Sequence, residues 1–326
     1  MKKSLTLLLV ALALTVPLMS FMSPVKALTT VQRYGVDYSS SGWSYSDTET
    51  HLRSDFARFK QNNITLICLW LHWYKVQPRS SSSYDDAFLA RVKKLCLIAN
   101  EYGLLVDIDF HSGCGSYKRY GLPYWFSGTF DKVATTSTAK AQWINMEKHV
   151  VQYLSAVPNI KSWQLFNEPW ADTSSLQTSY RALFVETAAA VKALTSKPVT
   201  IRFGAYSFTA HNWSNWPQLY QICDYLASNW YPAYQTVASL DAFVSAAKSH
   251  QKSMEITEYG ADSSNDETQR ASVVSQISMF KARGIDTALI CQYGTLVDSR
   301  HYNVRNPSTG QPRPAFYEVA KANNGP

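Results

Sequence analysis

Ser162-Trp163-Gln164-Leu165-Phe166-Asn167-Glu168-Pro169-Trp170 is a short apolar run that ends in a carboxylate, a helix-breaking proline and a tryptophan. Pro158-Asn159-Ile160 reads as the turn that leads into it. A carboxylate at the C-terminal end of a buried parallel strand stands where an α/β barrel keeps its chemistry. Asn-Glu-Pro is also an ordinary exit from a strand, so the reading needs a second carboxylate and a count of strands.

Working outward, apolar runs alternate with helical periodicity. Strands are expected at Arg33–Tyr38, Ile64–Leu71, Leu104–Phe110, the run before Glu168, Val199–Phe203, Asp224–Trp230, Ser253–Thr257 and Thr287–Cys291. Between them, helices are expected near Asp47–Lys60, Asp85–Tyr102, Ala139–Ala156, Ser175–Thr195, Leu240–Ser249 and Glu267–Arg283, with Ala315–Ala322 closing the chain. The segment 112–137 reads as one long loop rich in glycine and aromatics, a length that usually carries function. Eight strands, each followed by helical sequence, predict a single (β/α)8 TIM barrel of class α/β. A doubly wound sheet would announce a glycine-rich first turn, which Tyr34-Gly35-Val36 does not supply.

The chain has 326 residues, 46% hydrophobic and 17% charged, the composition of a soluble globular protein. Lys2 and Lys3, the apolar run from Leu5 to Met22 and Val25-Lys26-Ala27 read as a cleaved signal peptide over 1–27. That leaves a secreted catalytic domain over 28–326 with no further membrane segment, expected as a monomer. Loss of Lys2, Lys3 and Lys26 takes three charges from the formal +7, leaving +4. The remaining basic residues are scattered, which argues against nucleic acid as a partner. The five cysteines show no Cys-x-x-Cys spacing. Cys68 and Cys291 lie inside apolar runs and read as buried thiols, whereas Cys114 lies in a glycine-flanked loop. Asp107, Asp109 and His111 share one parity at the third strand's end. A metal site there is set aside in favour of an ordinary polar barrel mouth; no metal or cofactor is expected.

The second carboxylate is Glu258, in Ile256-Thr257-Glu258-Tyr259-Gly260 at the end of the seventh strand. Strands four and seven face each other across a barrel mouth, so Glu168 and Glu258 can converge on one bond. Two such carboxyl groups are what glycosidic hydrolysis needs: one protonates the leaving oxygen while the other attacks the anomeric carbon or activates water. Glu255 has the opposite parity to Glu258 and is expected to face away from the mouth.

From Tyr34-Gly35-Val36-Asp37 to Gly310-Gln311-Pro312-Arg313-Pro314-Ala315-Phe316-Tyr317, the chain resembles clan A retaining glycoside hydrolases, nearest to family 5, the cellulases and mannanases. The resemblance implies Glu168 as acid/base and Glu258 as nucleophile. It also implies Asn167 on the sugar 2-hydroxyl, His111 lining the site and Tyr231 donating to the nucleophile. Three positions depart from the family pattern. The strand-two run Leu66-Ile67-Cys68-Leu69-Trp70 lacks the usual arginine. Strand six offers Asn229-Trp230-Tyr231 in place of His-x-Tyr, and Gln292-Tyr293 stand where a stacking tryptophan usually ends strand eight.

With 10 Trp and 20 Tyr the chain is rich in aromatics, which serve either a core or the apolar faces of sugar rings. Trp43, Trp73, Trp125, Trp170, Trp213, Trp230 and Tyr293 fall at expected strand ends or loops on the catalytic face; Trp143 and Trp163 read as core. Asn229, Trp73, Trp170, Trp213 and Tyr293 join Asn167, His111 and Tyr231 as the expected contacts to a polysaccharide or oligosaccharide. The reading is an endo-acting β-1,4-glucanase, with a β-mannanase or an exo-acting β-glycosidase next. The rival of another class is an inactive carbohydrate-binding barrel, which has no need of two opposed glutamates.

Overall fold

The computed structural model describes residues 33–38, 48–113, 117–210, 213–294, 301–306 and 308–324. The leader read over 1–27, Trp43 and Cys114 lie outside the described residues.

Eight parallel strands close into a barrel in sequence order. They are β1 (Arg33–Asp37), β2 (Leu66–Trp70), β3 (Leu105–Asp109), β4 (Ile160–Asn167), β5 (Val199–Gly204), β6 (Leu226–Asn229), β7 (Met254–Tyr259) and β8 (Thr287–Ile290). Closure is made by β1 on β8, where Arg33 to Val36 pair with Thr287 to Ile290. Gly35 makes the β1–β2 approach possible, since a Cβ there would stand 2.3 Å from Leu66 O.

Helices fill the connections. α1 (Glu49–Gln61) follows β1, α2 (Trp73–Val76) and α3 (Asp86–Glu101) follow β2, and α4 (Phe130–Thr135) and α5 (Ser137–Leu154) follow β3. α6 (Ser174–Lys192) follows β4; α7 (Tyr206–Ala210) and α8 (Leu219–Ile222) follow β5. α9 (Val237–Ser249), α10 (Asp266–Arg283) and α11 (Pro314–Ala322) follow β6, β7 and β8. Their ends are chemically marked: Asp85 accepts from Phe88 N at 2.8 Å, and Asn265 accepts from Thr268 N at 2.9 Å. Gly284 closes α10 at φ 75°, which suits glycine. α4 interrupts the segment expected as one long loop. Its buried Phe130 packs edge-on to Trp143 of α5, 4.9 Å between ring centroids, which gives those residues a core role.

The main core lies between strands and helices, and Trp143 and Trp163 belong to it. The barrel interior is divided. On the β2 and β8 side, Leu66, Cys68, Trp70, Leu289 and Cys291 form an apolar cluster. The β3–β7 side is polar. Low in it, Lys161 Nζ lies 3.1 Å from Asp107 Oδ2 and 2.5 Å from Glu255 Oε2. Ser162 Oγ meets Asp107 and the Tyr225 hydroxyl, and Gln164 Nε2 donates to the Tyr225 hydroxyl at 3.3 Å. Glu255 is therefore inside the barrel, beneath the mouth, and not turned outward. The pairing of β7 shifts register between Ser228 and Asn229, and strict alternation fails there.

Candidate active site

Both glutamates arrive at the C-terminal rim. Glu168 is the first residue after β4, and its N–H donates to Arg202 O of β5 at 2.8 Å. Its φ of 45° lies in the left-handed region, which costs a non-glycine residue roughly 1 kcal/mol or more. Glu258 lies within β7. Arg202 Nη2 donates to its Oε1 at 2.5 Å, and the Tyr231 hydroxyl donates to its Oε2 at 2.9 Å. Each oxygen of that carboxylate thus has its own donor.

Arg202 is the hub. Its side chain is fully buried, and Nη1 reaches Asp109 Oδ2 at 2.5 Å as well. Asp109, Arg202 and Glu258 come from the alternate strands β3, β5 and β7. Barrel interiors stack side chains in layers from alternate strands, and those layers are usually apolar. Here the layer is charged. Burial works against the Arg202 charge, but Asp109 and Glu258 hold its pKa well above the ordinary value. Burial pushes Asp109 up to about 6 even against the pull of Arg202.

A chain of hydrogen bonds returns from this hub to Glu168. His111 Nδ1 donates to Asp109 Oδ2 at 2.5 Å, which leaves Nε2 bare to accept from Asn167 Nδ2 at 3.4 Å. Burial lowers the His111 pKa to about 3, so the ring is neutral near pH 7. Asn167 Oδ1 accepts from Asn229 Nδ2 at 3.1 Å, and the same amide donates to Glu168 Oε1 at 3.2 Å. Thr257 Oγ1, 2.7 Å from Asn229 Oδ1, fixes which way that amide points. Trp70 stacks flat on His111, with centroids 3.8 Å apart and planes 3° apart.

The two carboxyl groups are unlike. Burial, and next the Glu258 carboxylate, push Glu168 up to about 7. Asn229 donates to it, but among the described residues no cation touches it directly as Arg202 touches Glu258. A carboxyl that keeps its proton near neutrality beside one bound by a guanidinium and a phenol can give a proton to one atom while the other attacks its neighbour.

The sequence profile of the family described as Cellulase (glycosyl hydrolase family 5) matches residues 28–291. The chain belongs to glycoside hydrolase family 5. Comparison with curated proteins gives no match. Among solved structures, the endo-β-1,4-mannanase of Thermotoga petrophila superposes with a TM-score of 0.72 at 15% identity, covering 91% of this chain and 77% of that one. XacCel5A, solved with cellopentaose, gives 0.70 at 16%, covering 90% and 99%. The endoglucanase Cel5A of Pseudomonas stutzeri gives 0.66 at 16%, covering 90% and 94%. At such identities these likenesses speak for the family 5 fold alone.

Within this family 5 barrel, the expected site residues Glu168, Glu258, Asn167, Asn229, His111 and Tyr231 share one network. Trp170 stands at the rim, half-exposed, its ring centroid 5.2 Å from that of Tyr206. Three expected sugar contacts are elsewhere. Trp73 opens α2 turned into the core, its Nε1 donating to Gln77 Oε1 at 2.7 Å. Trp213 is buried against Phe184 and Phe203. Tyr293 packs between Phe59 and Phe316, its hydroxyl 2.7 Å from Arg58 Nη1. Rings without exposure have no face to offer a sugar, and Trp230, against Phe280, is covered in the same way.

Arg202 and Trp70 were missed. The missing strand-two arginine has a counterpart in Arg202, whose Nη1 is 3.6 Å from the Cys68 thiol on β2. The signal was present: an arginine between Ile201 and Phe203 in a doubly buried strand requires an internal carboxylate. Asp107, Asp109 and His111, which share a strand end, divide between two networks, Asp107 below with Lys161 and the other two above with Arg202.

Proposed function

We propose that this family 5 hydrolase is a retaining, endo-acting β-1,4-glucanase that works by double displacement. The carrying observation is the asymmetry between Glu168, pushed up to about 7, and Glu258, bound by Arg202 and Tyr231. Glu258 attacks the anomeric carbon as Glu168 transfers its proton to the departing glycosidic oxygen, so that the C–O bond breaks while a glycosyl ester forms. Glu168, now a carboxylate, takes a proton from water; the hydroxide oxygen bonds to the anomeric carbon and Glu258 is released as the anion. Asn167, oriented by His111 and Asn229, is suited to bind the sugar hydroxyl next to the anomeric centre.

Aromatic rings on both sides of the glutamate pair support internal cleavage of a long chain. Tyr234, 63% exposed, and half-exposed Tyr231 flank the Glu258 side, and Trp170 the Glu168 side. Export follows from the basic, then apolar, N-terminal segment that ends at Val25-Lys26-Ala27. A β-1,4-mannanase is the second reading, favoured by the fold likeness to the Thermotoga petrophila enzyme.

The test is release of reducing sugar from carboxymethylcellulose, glucomannan and xylan, with sizing of the products and azide rescue. Mixed oligosaccharides from carboxymethylcellulose, an inverted glycosyl azide from Glu258→Ala and a retained one from Glu168→Ala are expected. Cleavage confined to mannan-containing polymer selects the mannanase. Tight binding with no sugar release from any of them overturns the enzyme reading.

A further inference from the structure

Trp170 is not a loose surface ring. Its indole N–H donates to Asp172 Oδ1, two residues on. Asp172 Oδ2 is 2.7 Å from Lys118 Nζ, and the same ammonium is 2.8 Å from Asp131 Oδ2 of α4. Asp131 Oδ1 in turn accepts from the Tyr180 hydroxyl of α6 at 3.0 Å. One edge of the indole is thus tied through the loop after β3 to two helices. On the other side is Tyr206, whose ring folds back over the end of β5. A Cβ on Gly204 would stand 2.2 Å from Tyr206 Cε1, so the strand has a glycine where this ring sits. Both rings stay half-exposed although the edges of one are bonded and the seat of the other is cut to fit.

Only one residue separates Trp170 from Glu168, so the platform lies beside the group that serves the leaving oxygen. We infer that Asp172, held by Lys118, is a positioning residue that fixes Trp170, with Tyr206, as the platform for the sugar ring on the leaving-group side of the cleaved bond. This rests on the glycanase reading above. The ligand is a neutral pyranose whose apolar face meets an indole, and the contact is absent from any substrate with no ring on that side. Asp172 touches neither the sugar nor the reacting atoms. It acts through the indole N–H, for which only an oxygen acceptor is needed.

The experiment compares cellopentaose, with mannopentaose as the second probe, against β-cellobiosyl fluoride, whose leaving group carries no ring. Asp172→Ala should raise KM for the pentasaccharide that the wild type cleaves by about tenfold, the factor that ~1.4 kcal/mol represents. Hydrolysis of the fluoride should not change. Asp172→Asn keeps an oxygen for the indole but loses the one that meets Lys118, and should restore most of the pentasaccharide KM. Equal losses on both substrates, an unchanged pentasaccharide KM in Asp172→Ala, or an Asn variant as poor as the Ala variant each overturns the inference. A wild-type enzyme inert toward all three probes overturns the glycanase reading instead.

Discussion

Arg202 of β5 lies 2.5 Å from Glu258 of β7, and its other terminal nitrogen lies 2.5 Å from Asp109 of β3. One guanidinium spans two carboxylates from strands that are not its neighbours. Arginine can do this because its donors diverge from a rigid plane, whereas lysine presents a point charge. Arg202→Lys should therefore keep a cation in the barrel but lose one of the two bridges. We expect kcat to fall about 100-fold, the scale of losing a preorganised donor. The unfolding midpoint should fall too, since breaking a buried ion pair costs about 3–5 kcal/mol. Wild-type kcat in Arg202→Lys would remove Arg202 from the chemistry.

In the proposed mechanism Glu168 sets the alkaline limit. Burial and the Glu258 carboxylate hold its proton to about 7, and only the protonated form serves a sugar leaving group. kcat/KM on a glycan should fall as pH rises through about 7. Fluoride needs no proton to depart, so the same limb should vanish with β-cellobiosyl fluoride. A limb that persists with the fluoride would assign the titration to another group.

Trp73 should behave as core. Its ring packs on Trp125, Phe126 and Trp143 with no exposure. Trp73→Ala leaves a cavity expected to cost about 3–5 kcal/mol, read as a lower midpoint in urea. KM of the folded enzyme should not move. A raised KM with unaltered stability would return Trp73 to the cleft.

The lower network carries its own pH signature. Burial and Asp107 raise Glu255 to about 7 from 4.5. The folded chain therefore holds this proton more tightly than the unfolded chain. The resulting stability is full below the unfolded value and is lost as pH rises through about 7. Glu255→Gln has no proton to lose, so the stability of wild type relative to the variant should decline from about pH 5 to about pH 8. A difference that stays flat across that range would contradict the assignment.

The barrel could be read from the sequence because parallel strands buried on both faces are continuous apolar runs, and each run here was followed by a helical stripe. Glu168 and Glu258 stood out for the same reason, as charges where such runs end. Arg202 did not, since its partners are 93 and 56 residues away and a charge inside a run looks like an interruption. Trp73, Trp213 and Tyr293 were misjudged because parity fixes direction only within a strand. Past its end, the backbone turned all three rings into the packing. Glu255 was misjudged because pairing along β7 slips, which neither its composition nor its alternation records.

The span from β3 through β5 to β7 also bears on how the enzyme is made. No pair of adjacent strands contains both Arg202 and Glu258, because β6 lies between β5 and β7. The contact between them consequently needs β5, β6 and β7 assembled side by side. During refolding, recovery of turnover should therefore report the assembly of these three strands and not the formation of any one helix.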